Sequence, residues 1–496
     1  MRRPAREQGR SAVRHCCAAL AAVQLASCAV GPNFKRPEAP RVDRYTPQPL
    51  PERTASAPTL DGAAQRFVPG REVSAQWWKS FESPALDALI AQALKENPTI
   101  EAARAALRQA NELTAAQRGA LFPQVDAGYA VSREKNAVAT LAPTLSSGQE
   151  LFTLHTAQLS VSYLLDIFGL ERRELESQQA LADAQRFELE AAYLTIASNV
   201  VAAAVEEASL RAQIDATNAI LRSERESVQI LRRQYQLGSI AMTDVMAQES
   251  LLASTQATLP PLEKQLAAQR DLLAVLAGRF PSEPLDQRFE LSSLTLPRDL
   301  PVSLPASLVR QRPDVLAAEA ELHSASAQVG VAIADMLPQV TLSGSAGGAS
   351  TSIQSLFASG NTFWTAGASL SQTLFAGGAL WHRERAARAA LDQAGAEYRS
   401  VVLTACQQVA DTLRALELDA EAVAANALAA QAANATLAAT RRNVELGSTS
   451  YLALLSSEQA YQQAVLNLAQ ARANRLADTA ALFQALGGGW WNRSAP

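Results

Sequence analysis

The stretch Leu121-Phe122-Pro123-Gln124-Val125-Asp126-Ala127-Gly128-Tyr129-Ala130-Val131-Ser132 closes a helix at a proline and then opens a strand. Pro123 lacks the backbone N–H a helix needs, and it biases Phe122 toward extended backbone. From Val125 the odd positions Val125, Ala127, Tyr129 and Val131 are apolar, while Asp126, Gly128, Ala130 and Ser132 are small or polar. The phrase returns at Met336-Leu337-Pro338-Gln339-Val340, where Val340 and Leu342 alternate with Thr341, Ser343 and Ser345. Asn97-Pro98 is answered by Arg312-Pro313 at the same spacing as Pro123 and Pro338 (313 − 98 = 338 − 123 = 215). Leu194-Thr195 is matched by Leu403-Thr404, and Leu237-Gly238-Ser239 by Leu446-Gly447-Ser448, both at an offset of 209. Two halves of roughly 200 residues share one plan, the mark of an internal repeat.

Each half reads as helix, strand, strand, long helix, turn, helix. The first repeat runs over 84–305 and the second over 306–487, with strands at about 125–136, 154–166, 339–350 and 363–374. Ser83-Pro84 and Asn97-Pro98 are helix-start signals. The second strands alternate as the first do: Ala157, Leu159, Val161, Tyr163 and Leu165, then Trp364, Ala366, Ala368 and Leu370, are the apolar sets. Such alternation over about ten residues suits a transmembrane barrel strand, and equally a soluble sheet with one buried face. On the strands alone both readings stay open. Residues 171–236 contain neither Gly nor Pro, and 379–446 contain only Gly395. At ~1.5 Å per residue each run is roughly 100 Å of helix, too long for a globular core and suited to a helical wall. Gly238 and Gly447 end these helices, and the chain returns over Met242 to Leu259 and Tyr451 to Leu486. The Pro260-Pro261 pair predicts an interruption of the first return helix.

The Ala-rich, aromatic-poor composition suits long helices. The formal net charge of −4 includes five arginines and one glutamate in residues 1–27, which leaves 39 basic against 47 acidic groups, net −8. A mildly acidic chain has no electrostatic reason to bind nucleic acid. Residues 1–27 read as a signal peptide: an Arg-rich start, then the apolar stretch Cys16 to Ala26, too short to span a membrane. Leu25-Ala26-Ser27-Cys28 resembles the lipobox of bacterial lipoproteins, which implies a diacylglycerol and an acyl chain on Cys28 as the only cofactor-like groups. Ala29, rather than Asp, after the cysteine implies export to the outer membrane by the same resemblance. Cys16 and Cys17 leave with the signal, so Cys406 remains as a packed thiol and no disulfide forms within the mature chain.

Four strands cannot close a barrel, and an open edge in a bilayer leaves backbone groups unsatisfied. Membrane strands would therefore require several copies to share one barrel. Several motifs carry a family likeness: the start Cys28-Ala29-Val30-Gly31-Pro32-Asn33-Phe34-Lys35-Arg36-Pro37, the entry Gln76-Trp77-Trp78, Phe168-Gly169, Phe375-Ala376-Gly377-Gly378 and the paired Leu-Gly-Ser turns. Together they resemble the outer-membrane factor family, closest to the NodT-type efflux lipoproteins, relatives of TolC. The resemblance implies a mainly α fold with a small β part: a long-helix α-barrel plus a transmembrane β-barrel shared by a homotrimer, four strands each. Segment 28–83 would be an extended periplasmic lead and 488–496 a tail. It also implies docking to a periplasmic membrane-fusion (adaptor) protein and an inner-membrane resistance-nodulation-division pump, with passive exit of drugs and toxic compounds through the outer membrane. A type I protein-secretion duct and a pore-free periplasmic spacer are the rivals, though a spacer has no use for the strands.

Catalytic chemistry is not legible. His155, His323 and His382 share no metal-ligand spacing, and no phosphate loop, nucleophile elbow or Cys/His pair occurs. The candidate gate lies at the turns, which by resemblance form the periplasmic tip: Gly238, Ser239, Asp244, Gly447, Ser448 and Tyr451. Asp244 reads either as a member of a carboxylate ring or as a helix-starting acid. Family members often carry acids after the second turn; here Ala453 and Ser456 stand in those places. Arg441 and Arg442, with Glu445, read either as a set that pairs across the tip helices or, more commonly for such residues, as ordinary surface ion pairs, and Trp77 and Trp78 are candidate packing anchors rather than a substrate site.

Overall fold

The computed structural model describes residues 29–135 and 151–493. The signal peptide, Cys28 and residue 136 lie outside them. Among the described residues the helices are α1 (Pro84–Glu96), α2 (Pro98–Gly119), α3 (Leu170–Gln236), α4 (Met242–Leu276), α5 (Pro305–Leu308), α6 (Pro313–Ala334), α7 (Ala379–Glu445) and α8 (Tyr451–Ala485). The strands are β1 (Arg66–Pro69), β2 (Gln124–Lys135), β3 (Leu151–Leu165), β4 (Asp299–Val302), β5 (Gln339–Ser350) and β6 (Thr362–Ser371). Helices α3 and α7 have 67 residues each, and α4 and α8 have 35 each.

The equal length of α4 and α8 overturns the expected interruption at Pro260-Pro261, which both lie inside α4. Their rings free the carbonyls of Gln256 and Ala257. These residues and both prolines are exposed, so water takes the place of the missing N–H donors. Strand β6 stops at Ser371, short of the expected 374, because its partner β5 begins at Gln339, directly after Pro338.

By contacts the chain forms two units. The first comprises residues up to Arg36, Leu107–Ala184 and Ala318–Tyr398. It holds an antiparallel sheet in the order β2-β3-β5-β6, leaving one edge of β2 and one of β6 bare among the described residues. Asp166 ties β3 to α3 by accepting from the backbone N–H groups of Glu171 (3.1 Å) and Arg172 (3.0 Å), a carboxylate at a helix start. The segment after residue 28 is clamped in the same unit. The Val30 N–H donates to the Phe168 carbonyl (3.0 Å), and the buried Arg173 donates to the Val30 carbonyl (3.0 Å) and Asn33 Oδ1 (2.7 Å). Gly31 lies so close to Gly330 that a Cβ on it would sit 2.4 Å from the Gly330 Cα. Phe34 stacks on His323 at 4.3 Å, and His323 Nε2 lies 2.9 Å from Glu176 Oε1.

The second unit comprises 37–106, 185–317 and residues from Arg399 onward. Here β1 pairs in parallel with β4. Trp77 is buried and stacks on Phe483 at 5.3 Å, above a core of Phe81, Leu86, Leu89 and Ile90, so the first Trp is the packing anchor expected. Arg475, on α8, is fully buried. It donates to Gln65 Oε1 (3.1 Å), Thr54 Oγ1 (3.0 Å) and the carbonyls of Asp61 (2.9 Å) and Ala63 (2.8 Å).

Candidate functional site

Register aligns the alternation across all four long strands. Val125 faces Val161, Ala127 faces Leu159, Tyr163 faces Leu342, Val340 faces Leu370 and Ala346 faces Trp364. Over these pairs one face is apolar, giving way to Arg133, Thr153, His155 and Ser350 toward the far end of the strands. The other carries Asp126, Ser160, Ser162, Ser343, Ser345, Thr365 and Ser369. A soluble sheet would cover its apolar face with the rest of the chain. Here Trp364 is 77% exposed, Leu370 70%, Val125 64% and Leu159 57%. An uncovered apolar band of that width, backed by small polar groups, matches a surface whose two sides meet lipid and water.

The two turns are built alike. Gly238 (φ 75°) and Gly447 (φ 70°) take the left-handed conformation that releases the helix ends. The backbone N–H and the hydroxyl of Ser239 both donate to the Gln234 carbonyl (3.0 and 2.8 Å), and those of Ser448 to the Asn443 carbonyl (2.9 and 3.0 Å). No atom lies within 4 Å of a Cβ built on either glycine, so alanine there meets only backbone strain. Each Gly→Ala change is expected to cost about 1 kcal/mol, read as a lower denaturation midpoint. An unshifted midpoint would mean that the turn does not need the left-handed residue.

Asp244 Oδ2 accepts from the Ala241 N–H (3.3 Å), the geometry of a helix-starting acid at the head of α4. Tyr451 opens α8 and donates its hydroxyl to Gln234 Oε1, linking the two hairpins. Burial raises its pKa, and the charge of Asp244 adds to that. Of the charges at the second turn, Arg441 pairs across the tip helices, and with Glu458 rather than Glu445. It reaches Ser223 Oγ and Glu458 Oε1 (3.3 Å), because Glu458 is buried and needs a cation more than the exposed Glu445 does.

A polar seam between the hairpins α3/α4 and α7/α8 was missed by sequence reasoning. Across it Gln248 Nε2 donates to Glu458 Oε2 (3.2 Å), and beside it, within α3/α4, Thr255 Oγ1 donates to Glu224 Oε1 (3.0 Å). Glu224, Glu458, Arg441 and Ser223 line a cavity of about 250 Å³. Burial pushes the Glu224 carboxyl up to about 7 against the Thr255 hydrogen bond, and the charge of Glu458 adds to the shift. The available signal was periodicity, since Glu224 falls in the buried helical stripe Leu221, Val228, Leu231. Among the described residues no cluster of His, Cys, Asp and Glu could hold a metal ion.

Residues 89–279 and 304–488 match the outer membrane efflux protein family. The toluene efflux pump outer membrane protein of Pseudomonas putida is 28% identical over 490 residues, covering 95% of this chain and 96% of that one. Nodulation protein T of Rhizobium leguminosarum bv. trifolii is 28% identical over 452 residues, covering 90% and 91%. The solved structure of the outer-membrane channel OprN superposes with a TM-score of 0.82 at 28% identity, covering 93% of this chain and all of that one. The uncovered apolar sheet, the 67-residue helices and these matches agree: the chain belongs to the outer membrane efflux protein family, as a NodT-like outer-membrane channel reaching into the periplasm, and it is a transport duct rather than an enzyme.

Proposed function

We propose that the chain is the outer-membrane exit duct of a tripartite pump, working as a homotrimer whose twelve strands close one barrel. The observation that carries this is the four-stranded sheet, apolar on its uncovered face and bare at both edges. Each bare edge would place unpaired backbone groups in hydrocarbon at several kcal/mol apiece, and pairing β6 of one copy with β2 of the next removes that cost. The pore-free spacer loses support from the same sheet. Cys28 carries the lipid, a periplasmic adaptor engages the hairpins near the Leu-Gly-Ser turns, and an inner-membrane pump of the resistance-nodulation-division type drives small toxic compounds through. The toluene pump relative supports small apolar cargo over secreted protein. The duct opens when α8 parts from α3 at the Tyr451–Gln234 contact.

The test is single-channel conductance of the detergent-extracted protein in a planar bilayer, beside its native mass. The expected result is a trimer with discrete openings, reduced when cysteines at positions 234 and 451 are cross-linked. A monomer without openings overturns the shared barrel, and conductance indifferent to the cross-link overturns the gate.

A further inference from the structure

The second unit holds a cavity of about 540 Å³ whose lining includes Trp78, Tyr193, Trp490, Arg104 and Arg493. We propose that it binds an acidic N-acetylated amino sugar, the carboxylate-bearing unit of the periplasmic cell-wall glycan.

The aromatic faces are held in place. Trp490 donates its indole N–H to the Gln311 carbonyl (2.7 Å) and meets Phe187 edge-on at 6.0 Å. Trp78 stands edge-on to the buried Trp77 at 5.9 Å, and Trp77 is itself fixed on Phe483. Trp78, Tyr193 and Trp490 are half-buried, so each keeps surface for a ligand. A fixed amphipathic ring offers contact area at low entropic cost.

The charge is one-sided. Arg104 donates through Nε and Nη2 to the Tyr193 hydroxyl (3.0 and 2.8 Å), a neutral partner, and its guanidinium lies 5.6 Å from the ring centre. Arg493 lies over the same ring at 5.0 Å and pairs with Glu190 (2.8 Å). Lys95 is exposed on the rim. Three cations face one carboxylate, so the ligand that balances the site is an anion, and a guanidinium favours a carboxylate. A bare inorganic anion has no use for three aromatic side chains, and an apolar ligand has none for the surplus charge.

The volume falls within the range of about 300–1,000 Å³ typical of ligand pockets. The unit that holds the cavity also holds both Leu-Gly-Ser turns and none of the four long strands, which points to the periplasmic glycan rather than the sugars of the outer leaflet.

The experiment titrates N-acetylmuramyl dipeptide into the detergent-solubilised full chain by calorimetry, with the neutral N-acetylglucosamine trimer and benzoate as comparisons. It is paired with co-sedimentation on purified cell-wall sacculi and on lipopolysaccharide vesicles. The expected result is saturable binding of the dipeptide, at least tenfold weaker for both comparisons and for Trp78→Ala and Arg104→Gln, and partly restored in Arg104→Lys. Sacculi should retain the wild type more strongly than the vesicles do. The native mass and conductance of the variants separate loss of the site from loss of fold. Absence of binding, equal binding of benzoate, or preference for the vesicles overturns the proposal, while a failed channel test leaves it standing.

Discussion

Arg475→Ala should be among the most damaging single substitutions in the periplasmic part, at a cost on the order of 3–5 kcal/mol. The side chain is fully buried, and four of its hydrogen bonds end on the 54–65 stretch. Removing it strands the Asp61 and Ala63 carbonyls and Gln65 Oε1, while Thr54 Oγ1 still accepts from the Gln65 N–H. Each stranded acceptor carries a desolvation penalty of about 1–3 kcal/mol, partly relieved if water enters the space. Arg475→Met restores volume but not donors, so it should recover little. Both variants should lower the urea midpoint and speed amide hydrogen exchange across 54–65. Unchanged exchange there would show that this stretch is held by something else.

Glu224→Gln should do the opposite, and only above mildly acidic pH. The carboxyl is raised from 4.5 to about 7 by burial, so the folded state holds its proton where the unfolded state has already released it. Below about pH 4.5 both states are protonated and the group is neutral to stability. Between that pH and about 7 the folded state loses ground at roughly 1.4 kcal/mol per pH unit, and above 7 the penalty levels off. The amide keeps an acceptor for Thr255 and never ionises. The variant should thus match the wild type near pH 4 and exceed it by on the order of 3 kcal/mol at pH 8. Asp419, raised to about 7 by burial and by Asp478 beside it, adds a slope of the same sign. That slope is common to both proteins and cancels in their difference. A stability gap that does not grow with pH would remove Glu224 as its source.

The long helices and the alternating strands were legible because each rests on local periodicity and on Gly and Pro at helix ends. Lipid-facing and core-facing strands have the same pattern, so the environment of the apolar face emerged only from register and exposure, in Val125, Leu159 and Trp364. Pro260-Pro261 misled because a breaker's cost depends on whether water reaches the freed carbonyls, and one strand of sequence does not say so. The partner of Arg441 was hidden for a related reason: Glu445 is nearer along the helix, but Glu458 is the acid taken from solvent. At the turns the geometry of Gly238 and Gly447 was readable, whereas the bond of Tyr451 to Gln234 joins residues 217 apart in sequence.

The clamp on Val30 and Gly31 bears on how such a channel comes together. Val30 is tied to Phe168 at the strand–helix junction, and only Ala29 separates it in sequence from Cys28, so the lipid proposed on that cysteine would have a tether of two residues. A chain held that way meets the bilayer beside its unfinished sheet rather than at the end of a slack leash. Confinement to a plane raises the local concentration of copies, and the mooring fixes which end of each copy faces the bilayer. If Cys28 carries the proposed lipid, the attachment would speed the encounter of bare edges before the proposed barrel exists, a kinetic service that ends once the ring has closed.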